Sequence, residues 1–275
     1  MPRLAVIGDP VAHSASPRMF GWLAKRLGLP LTYEAERVPP GGLAACLEEM
    51  RAGRWDGLSV TLPHKQDALV LADRADPRAT RVGAANCLVR GAEGRLVAHN
   101  TDVDGIAAAV SRHGVSLPEA TVLLLGAGGA ARAAAVAVRD AGRARLWIAN
   151  RNPRRALALA SAFDGEALPL TPEALQPVLP QASLVIQATS VGLDAPGDSP
   201  LPPGCVLHER LTVMDMVYRP LHTRLLREAR EARAAAIDGL WMLIFQGLEQ
   251  LRLWTGANVS ADVASELHDF LAGGA

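Results

Sequence analysis

The sequence predicts an α/β protein built as two domains. Short apolar β-rich runs alternate with helical patterns from the N-terminus, and the β-α-β series restarts at Val122 after a helix and a loop. Length agrees, because 275 residues exceed what a single core usually organises.

Residues 4–8 read as a buried strand. Ser16-Pro17 reads as a helix opening, with serine at the cap and proline in the first turn. Residues 32–38 form the next strand, 43–51 a helix, and 58–62 a third strand that Pro63 ends, followed by a helix through 68–72. Residues 85–89 and 96–100 flank Gly91-Ala-Glu-Gly94 and read as a hairpin. A helix runs from Thr101 to about His113. The second series comprises an unbroken apolar strand at 122–125, a glycine-rich turn, a helix at 133–141, a strand at 145–149 and a helix at 153–163. Short strands follow at 184–188 and 213–216, and the Pro/Gly-rich segment 195–204 reads as a mobile loop. Beyond Gly239, Leu243, Leu248, Leu251 and Leu253 return to helical spacing, and a last amphipathic helix covers 261–271.

Composition narrows the partners. The 28 basic residues balance 28 acidic ones, which leaves no electrostatic footprint for nucleic acid or an anionic membrane. Any bound anion must be held by a local site. Cys46, Cys87 and Cys205 are too few and too scattered for a disulfide framework or a metal-ligand pattern, so no metal is expected and a reduced cytoplasm is. The N-terminal apolar run reaches a glycine at Gly8, too soon for a signal peptide, and Arg132 interrupts the apolar stretch near 123–138. The expected partner is a small molecule. The terminal helices are the segment that would supply a homodimer contact.

Gly126-x-Gly128-x-x-Ala131 directly follows a strand and opens a helix, the context in which such a turn holds a dinucleotide. Gly126 permits the tight turn, Gly128 lets backbone approach a pyrophosphate, and Ala131 lets the helix pack on its strand. Ala127, Gly129 and Ala130 complete the phosphate cradle at the helix N-terminus. An NAD site wants a carboxylate at the end of the following strand, to accept from the ribose 2′-hydroxyl. Ala149-Asn150-Arg151-Asn152-Pro153-Arg154-Arg155 has none, and its arginines suit a 2′-phosphate instead. The alternative is a solvated basic helix start, which opposes the positive helix N-terminus and so calls for an anion. The expected cofactor is therefore NADP.

Four further polar clusters stand at predicted strand ends, where α/β proteins bind small ligands. They are Gly8-Asp-Pro10-Val-Ala-His13-Ser14-Ala-Ser16-Pro17, Gly57-Leu-Ser-Val-Thr61-Leu-Pro63-His64-Lys65, Gly83-Ala-Ala-Asn86, and Asn100-Thr101-Asp102-x-x-Gly105. Each alone has a structural explanation: capping for Ser14, Ser16 and Asp102, a turn for Asn86, exposure for Lys65. Together with Ala188-Thr189-Ser190-x-Gly192, Asp215-Met-Val-Tyr218-x-Pro220-Leu-x-Thr223, Gly239-x-x-Met242-Leu-x-x-Gln246 and Trp254-Thr-Gly256, they resemble the shikimate dehydrogenase family over nearly the whole chain.

That resemblance implies reversible reduction of 3-dehydroshikimate to shikimate, in the biosynthesis of chorismate and the aromatic amino acids. It implies a substrate-binding and catalytic domain over 1–102, a Rossmann-like NADP-binding domain over 103–237, and C-terminal helices over 238–275 that return to the first domain. Lys65 and Asp102 would be the catalytic pair. Ser14, Ser16, Thr61, Asn86, Tyr218 and Gln246 would hold the substrate's carboxylate and hydroxyls. Ala188, Thr189, Ser190, Val217, Gly239 and Met242 would line the nicotinamide side, and Asn150, Arg151, Asn152 and Arg155 the adenosine phosphate. The chain departs from the family pattern at Phe20-Gly21 (usually His-Asn), Cys87 (usually Thr), Gln187 (usually Asn) and Asn152 (usually Thr). The first three read as packing changes. Asn152 loses a hydroxyl but keeps an amide donor, which softens selectivity for NADP. His13 and His64 read as structural, and Cys87 as a buried small residue.

Hydride delivery to a ketone builds negative charge on oxygen, which needs a positioned donor and a proton. A lysine ammonium oriented by an aspartate meets both needs. The nearest alternatives are a quinate/shikimate dehydrogenase of broader range, often using NAD, and a non-catalytic NADP-binding sensor on the same fold. The missing acid near Arg151 opposes the first, and the acid–base pair opposes the second.

Overall fold

The computed structural model describes residues 1–142 and 144–273. In chain order the elements are β1 (Arg3–Gly8), α1 (Ser16–Leu27), β2 (Thr32–Arg37), α2 (Leu43–Arg51), β3 (Gly57–Val60), α3 (Lys65–Leu71), β4 (Arg74–Ala75), α4 (Pro77–Val82), β5 (Cys87–Arg90), β6 (Leu96–His99), α5 (Asp102–Arg112), β7 (Thr121–Leu125), α6 (Gly129–Ala141), β8 (Arg145–Asn150), α7 (Pro153–Ala162), β9 (Glu166–Pro169), α8 (Pro172–Leu175), β10 (Leu184–Gln187), β11 (Thr212–Asp215), α9 (Arg224–Glu231), β12 (Ala235–Ile237), α10 (Gly239–Thr255) and α11 (Ala261–Ala272). The described chain divides into two compact α/β units, residues 1–101 joined by 246–273, and Asp102–Phe245. The second division falls inside α10. Among the described residues, no helix is long and apolar enough to cross a membrane.

The first unit holds a six-stranded mixed sheet in the order β2-β1-β3-β5-β6-β4. β1 runs parallel to β2 and β3, whereas β5 is antiparallel to both β3 and β6. The antiparallel pair is the hairpin expected around Gly91–Gly94, and its turn closes through Gly94 at φ 74°. α2 shows why the helices dock: Leu43, Cys46, Leu47 and Met50 recur at helical spacing and are all buried. They join Ile7, Trp55, Leu58, Val60, Leu88 and Leu96 in one core.

Two sequence expectations are corrected here. Helix α1 starts at Ser16 rather than being capped by it, because Ser14, two residues upstream, accepts the Ser16 amide on its Oγ at 3.2 Å. Strand β3 ends at Val60, and the turn that follows brings α3 forward to begin at Lys65. β4 and α4 were not expected. Yet α4 carries ordinary start and stop chemistry, since Asp76 accepts the Arg78 amide at 2.8 Å, Pro77 opens the helix, and Gly83 closes it at φ 72°.

The second unit holds an all-parallel sheet in the order β12-β11-β10-β7-β8-β9. β7, β10 and β11 are almost wholly buried, as strands covered on both faces must be. Leu123, Leu125, Trp147, Val185, Val213, Leu225 and Leu226 form its core. α6 buries Ala131, Ala133, Ala134 and Ala135, small side chains that permit close packing. From β7 the chain winds outward to β8 and β9, then returns to β10 on the opposite side. Order therefore reverses between β7 and β10, the switch point at which open α/β sheets bind ligands beyond their strand ends. β9, α8, α9 and β12 went unrecognised in the sequence. In α9, arginine and glutamate dominate and only Leu225, Leu226 and Ala229 face the core.

Candidate active site

In the second unit, the residues at the switch point are those of the glycine-rich turn. The Gly126 amide donates to Ala149 at 2.8 Å and the Ala188 amide to Leu125 at 2.9 Å, so the turns after β7, β8 and β10 lie side by side. Gly126 has φ +119°, and a Cβ there would sit 3.1 Å from the Ala188 carbonyl oxygen. Only glycine serves there. Gly128 caps α6 without a side chain, and the first turn of α6 carries no acid. Its outermost amides thus face outward over an open cradle, since Cβ atoms at Gly128 or Gly129 would meet nothing within 4 Å.

At the end of β8, Asn152 caps α7, its Oδ1 accepting from the Arg154 and Arg155 amides at 3.1 and 3.3 Å. Asn150 donates to the Asn152 carbonyl at 3.1 Å. Arg151, Arg154 and Arg155 are exposed, and none forms a salt bridge among the described residues. Three cations at a helix start with no acid in its first turn have the charge and donor geometry that suit a phosphate. The turn and the arginines together fit NADP.

The other side of the switch point is built by the turn after β11. Asp215 is fully buried, accepts from the Val217 amide at 2.9 Å and the Thr223 hydroxyl at 2.7 Å, and is pushed up to about 6 by desolvation, against the pull of those two bonds. A Cβ at Gly239 would sit 2.5 Å from the Met216 carbonyl oxygen. Glycine therefore seats the start of α10 directly on Met216-Val217, which brings Val217 and Gly239 together. Ala188, Thr189, Met242 and Tyr218 are partly exposed, and burial raises the Tyr218 phenol above its ordinary range.

In the first unit, the structure gathers Asn86, Thr101 and Gln246. The Thr101 amide donates to Asn86 Oδ1 at 2.7 Å, and Asn86 Nδ2 donates to Thr101 Oγ1 at 3.0 Å and Gln246 Oε1 at 3.3 Å. All three are buried, Asn86 being 2% exposed. Asn86 is thus a polar junction rather than a turn residue. Thr101 lies inside the Asn100-Thr101-Asp102 motif but is not among the expected site residues, and neither is Gln250, whose amide donates to Gln246 Oε1 at 2.8 Å. Glutamines four apart, on one face of a largely apolar helix, are the available signal.

Lys65 opens α3, and its carbonyl accepts the Ala85 amide at 2.7 Å, which ties the helix start to the residue before Asn86. Asp102 opens α5 and is buried, and it directly follows Thr101, which Asn86 anchors. Thr61 closes the β3 turn, donating to the Ile7 carbonyl and accepting from the His64 amide. His64 is buried with Nε2 2.7 Å from the Val38 carbonyl, a structural bond, while His13 is exposed.

Three family models match the chain: a shikimate dehydrogenase substrate-binding domain over residues 6–88, a shikimate/quinate 5-dehydrogenase domain over 108–193, and a shikimate 5′-dehydrogenase C-terminal domain over 239–265. A shikimate dehydrogenase (NADP(+)) of Thermus thermophilus is 45% identical over 256 residues, 93% of each chain. The chain belongs to the shikimate dehydrogenase family. A family member from Methylobacterium radiotolerans, also a shikimate dehydrogenase (NADP(+)), is 40% identical over 98% of this chain and 95% of its own. The crystal structure of a shikimate 5-dehydrogenase from another strain of Thermus thermophilus, in complex with NADP(H) and shikimate, superimposes with a TM-score of 0.90. It is 42% identical and covers 98% of this chain and all of that one.

Against the shikimate dehydrogenase pattern, the departures resolve into packing and capping. Phe20 is fully buried and stacks on Tyr33 with centroids 4.2 Å apart. Cys87 is fully buried, and desolvation holds its thiol far above the reactive range. Gln187 accepts from the Thr189 amide at 2.9 Å and donates to the Val191 carbonyl at 3.1 Å, so it braces the loop that carries Thr189 and Ser190.

Proposed function

We propose that this chain is an NADP-dependent shikimate dehydrogenase, interconverting 3-dehydroshikimate and shikimate by hydride transfer, with residues 1–102 as the substrate domain, 103–237 as the cofactor domain and 238–275 returning to the first. The observation that carries the reading is full-length likeness to an enzyme crystallised with NADP(H) and shikimate, joined to an acid-free arginine cluster after β8. The three free cysteines suit the cytoplasm, where thiols stay reduced.

The α6 N-terminus and Gly126 to Ala130 hold the pyrophosphate, and Asn150 to Arg155 hold the 2′-phosphate. Bound there, NADPH supplies the hydride. Ser14 and Ser16, with Tyr218, hold the substrate carboxylate through neutral hydroxyl bonds, while Thr61, Asn86 and Gln246 hold its hydroxyls. In reduction, negative charge gathers on the carbonyl oxygen as the carbon accepts hydride. The Lys65 ammonium meets that charge, and Asp102 orients it, so that the oxygen receives its proton from the pair.

The test is turnover of shikimate or quinate with NADP or NAD, read as the absorbance of reduced nicotinamide. Shikimate with NADP is expected to exceed every other pairing by about tenfold or more. Equal rates with quinate and NAD would replace this reading with the broader dehydrogenase, and no turnover in any pairing would leave a binding protein.

A further inference from the structure

We propose that Tyr33, Ser59 and Gln250 form a hydrogen-bonded chain that fixes which end of the Gln246 amide faces the substrate, making them positioning residues for substrate binding. The proposal rests on the assignment of Gln246 to the substrate made above.

The direction of every bond in this chain follows from two backbone groups that cannot rotate. The Asn86 carbonyl lies 3.3 Å from Gln250 Nε2, so the Gln250 NH2 must face it and its oxygen must face the other way. That oxygen is 2.5 Å from Ser59 Oγ, so Ser59 must donate. Having spent its proton, Ser59 accepts from the Tyr33 hydroxyl at 2.7 Å. The second fixed group is the Thr101 amide, which claims Asn86 Oδ1 at 2.7 Å and so turns Asn86 Nδ2 toward Gln246. Gln246 Oε1 thus accepts from Gln250 Nε2 at 2.8 Å and from Asn86 Nδ2 at 3.3 Å.

With its oxygen committed, Gln246 meets a ligand as an N–H donor, which matches a substrate hydroxyl or carbonyl oxygen. A flipped Gln250 would set its own oxygen against the Asn86 and Gln246 oxygens, a repulsive arrangement in a buried site. The chain is rigid at its far end as well. Phe20 stacks on Tyr33, and Trp254 lies against both rings while donating to the Leu88 carbonyl at 3.0 Å.

The experiment is a double-mutant cycle read in KM for shikimate, with kcat and KM for NADP as controls. Gln250→Leu keeps the side-chain bulk and removes the amide. It is expected to raise KM for shikimate about tenfold, the worth of one buried hydrogen bond, with kcat and KM for NADP within about twofold. In a Gln246→Ala background the same change is expected to add less than about twofold, because the amide it orients is gone. Equal effects in both backgrounds, or no effect of Gln250→Leu alone, would overturn the chain while leaving Gln246 its role. If Gln246→Ala by itself left KM for shikimate unchanged, the substrate role of Gln246 would fall, and this proposal with it. Should Gln250→Leu fail to fold, Ser59→Ala reads the same coupling by removing the donor to Gln250.

Discussion

Replacing Lys65 by alanine is expected to lower kcat about 100-fold or more while changing KM for shikimate far less. The Lys65 side chain is assigned to the charge that forms only as hydride arrives, so its loss falls on the transition state rather than on ground-state binding. The fold should tolerate the change. The bond that ties α3 to Ala85 uses the Lys65 carbonyl, which alanine keeps, and alanine is a good residue for the first position of a helix. Steady-state kinetics in both directions, with thermal melting as a control, read the result. A Lys65→Ala protein with near-normal kcat would remove lysine from the chemistry.

The second large effect concerns the cofactor. Exchanging Arg151 and Arg155 together for alanine is expected to raise KM for NADPH roughly 100-fold, since each charge-assisted bond to a phosphate is worth about 1.5–3 kcal/mol. NADH lacks that phosphate, and its KM should move by less than about threefold. Thermal stability should hold or rise slightly, because both cations oppose the N-terminal dipole of α7. Parallel losses for NADPH and NADH would show that the arginines serve the shared part of the cofactor.

Much of the fold was legible where residues follow one local rule. β7 is an unbroken apolar strand, and the glycines after it announce a turn whose position the structure keeps. α2 could be read to the residue because its apolar stripe is complete. Elements escaped where the rule was weak or tertiary context overrode it. β12 is three residues with two alanines, and α9 buries a narrow stripe beneath arginines and glutamates. α4 could have been found, since Asp76-Pro77 and Gly83 are start and stop signals, but a six-residue helix leaves little periodicity between them.

For the site, the motifs were visible and their wiring was not. Ser14 and Asn86 stand out as members of polar clusters, whereas Gln246 comes only with the family resemblance. That Ser14 takes the Ser16 amide could be settled only by backbone geometry. The bond between Ser59 and Gln250 spans 191 positions, and nothing local in either residue announces the other. Chemistry carried by one segment was readable, whereas chemistry assembled across the chain needed coordinates.

A crystal structure of this chain with shikimate and NADP would test the central claim most directly. The account predicts the Lys65 Nζ and an Asp102 carboxylate oxygen each within about 3 Å of the same substrate hydroxyl, on the face from which the nicotinamide ring approaches its carbon. Shikimate bound with that hydroxyl turned away from both side chains would contradict it.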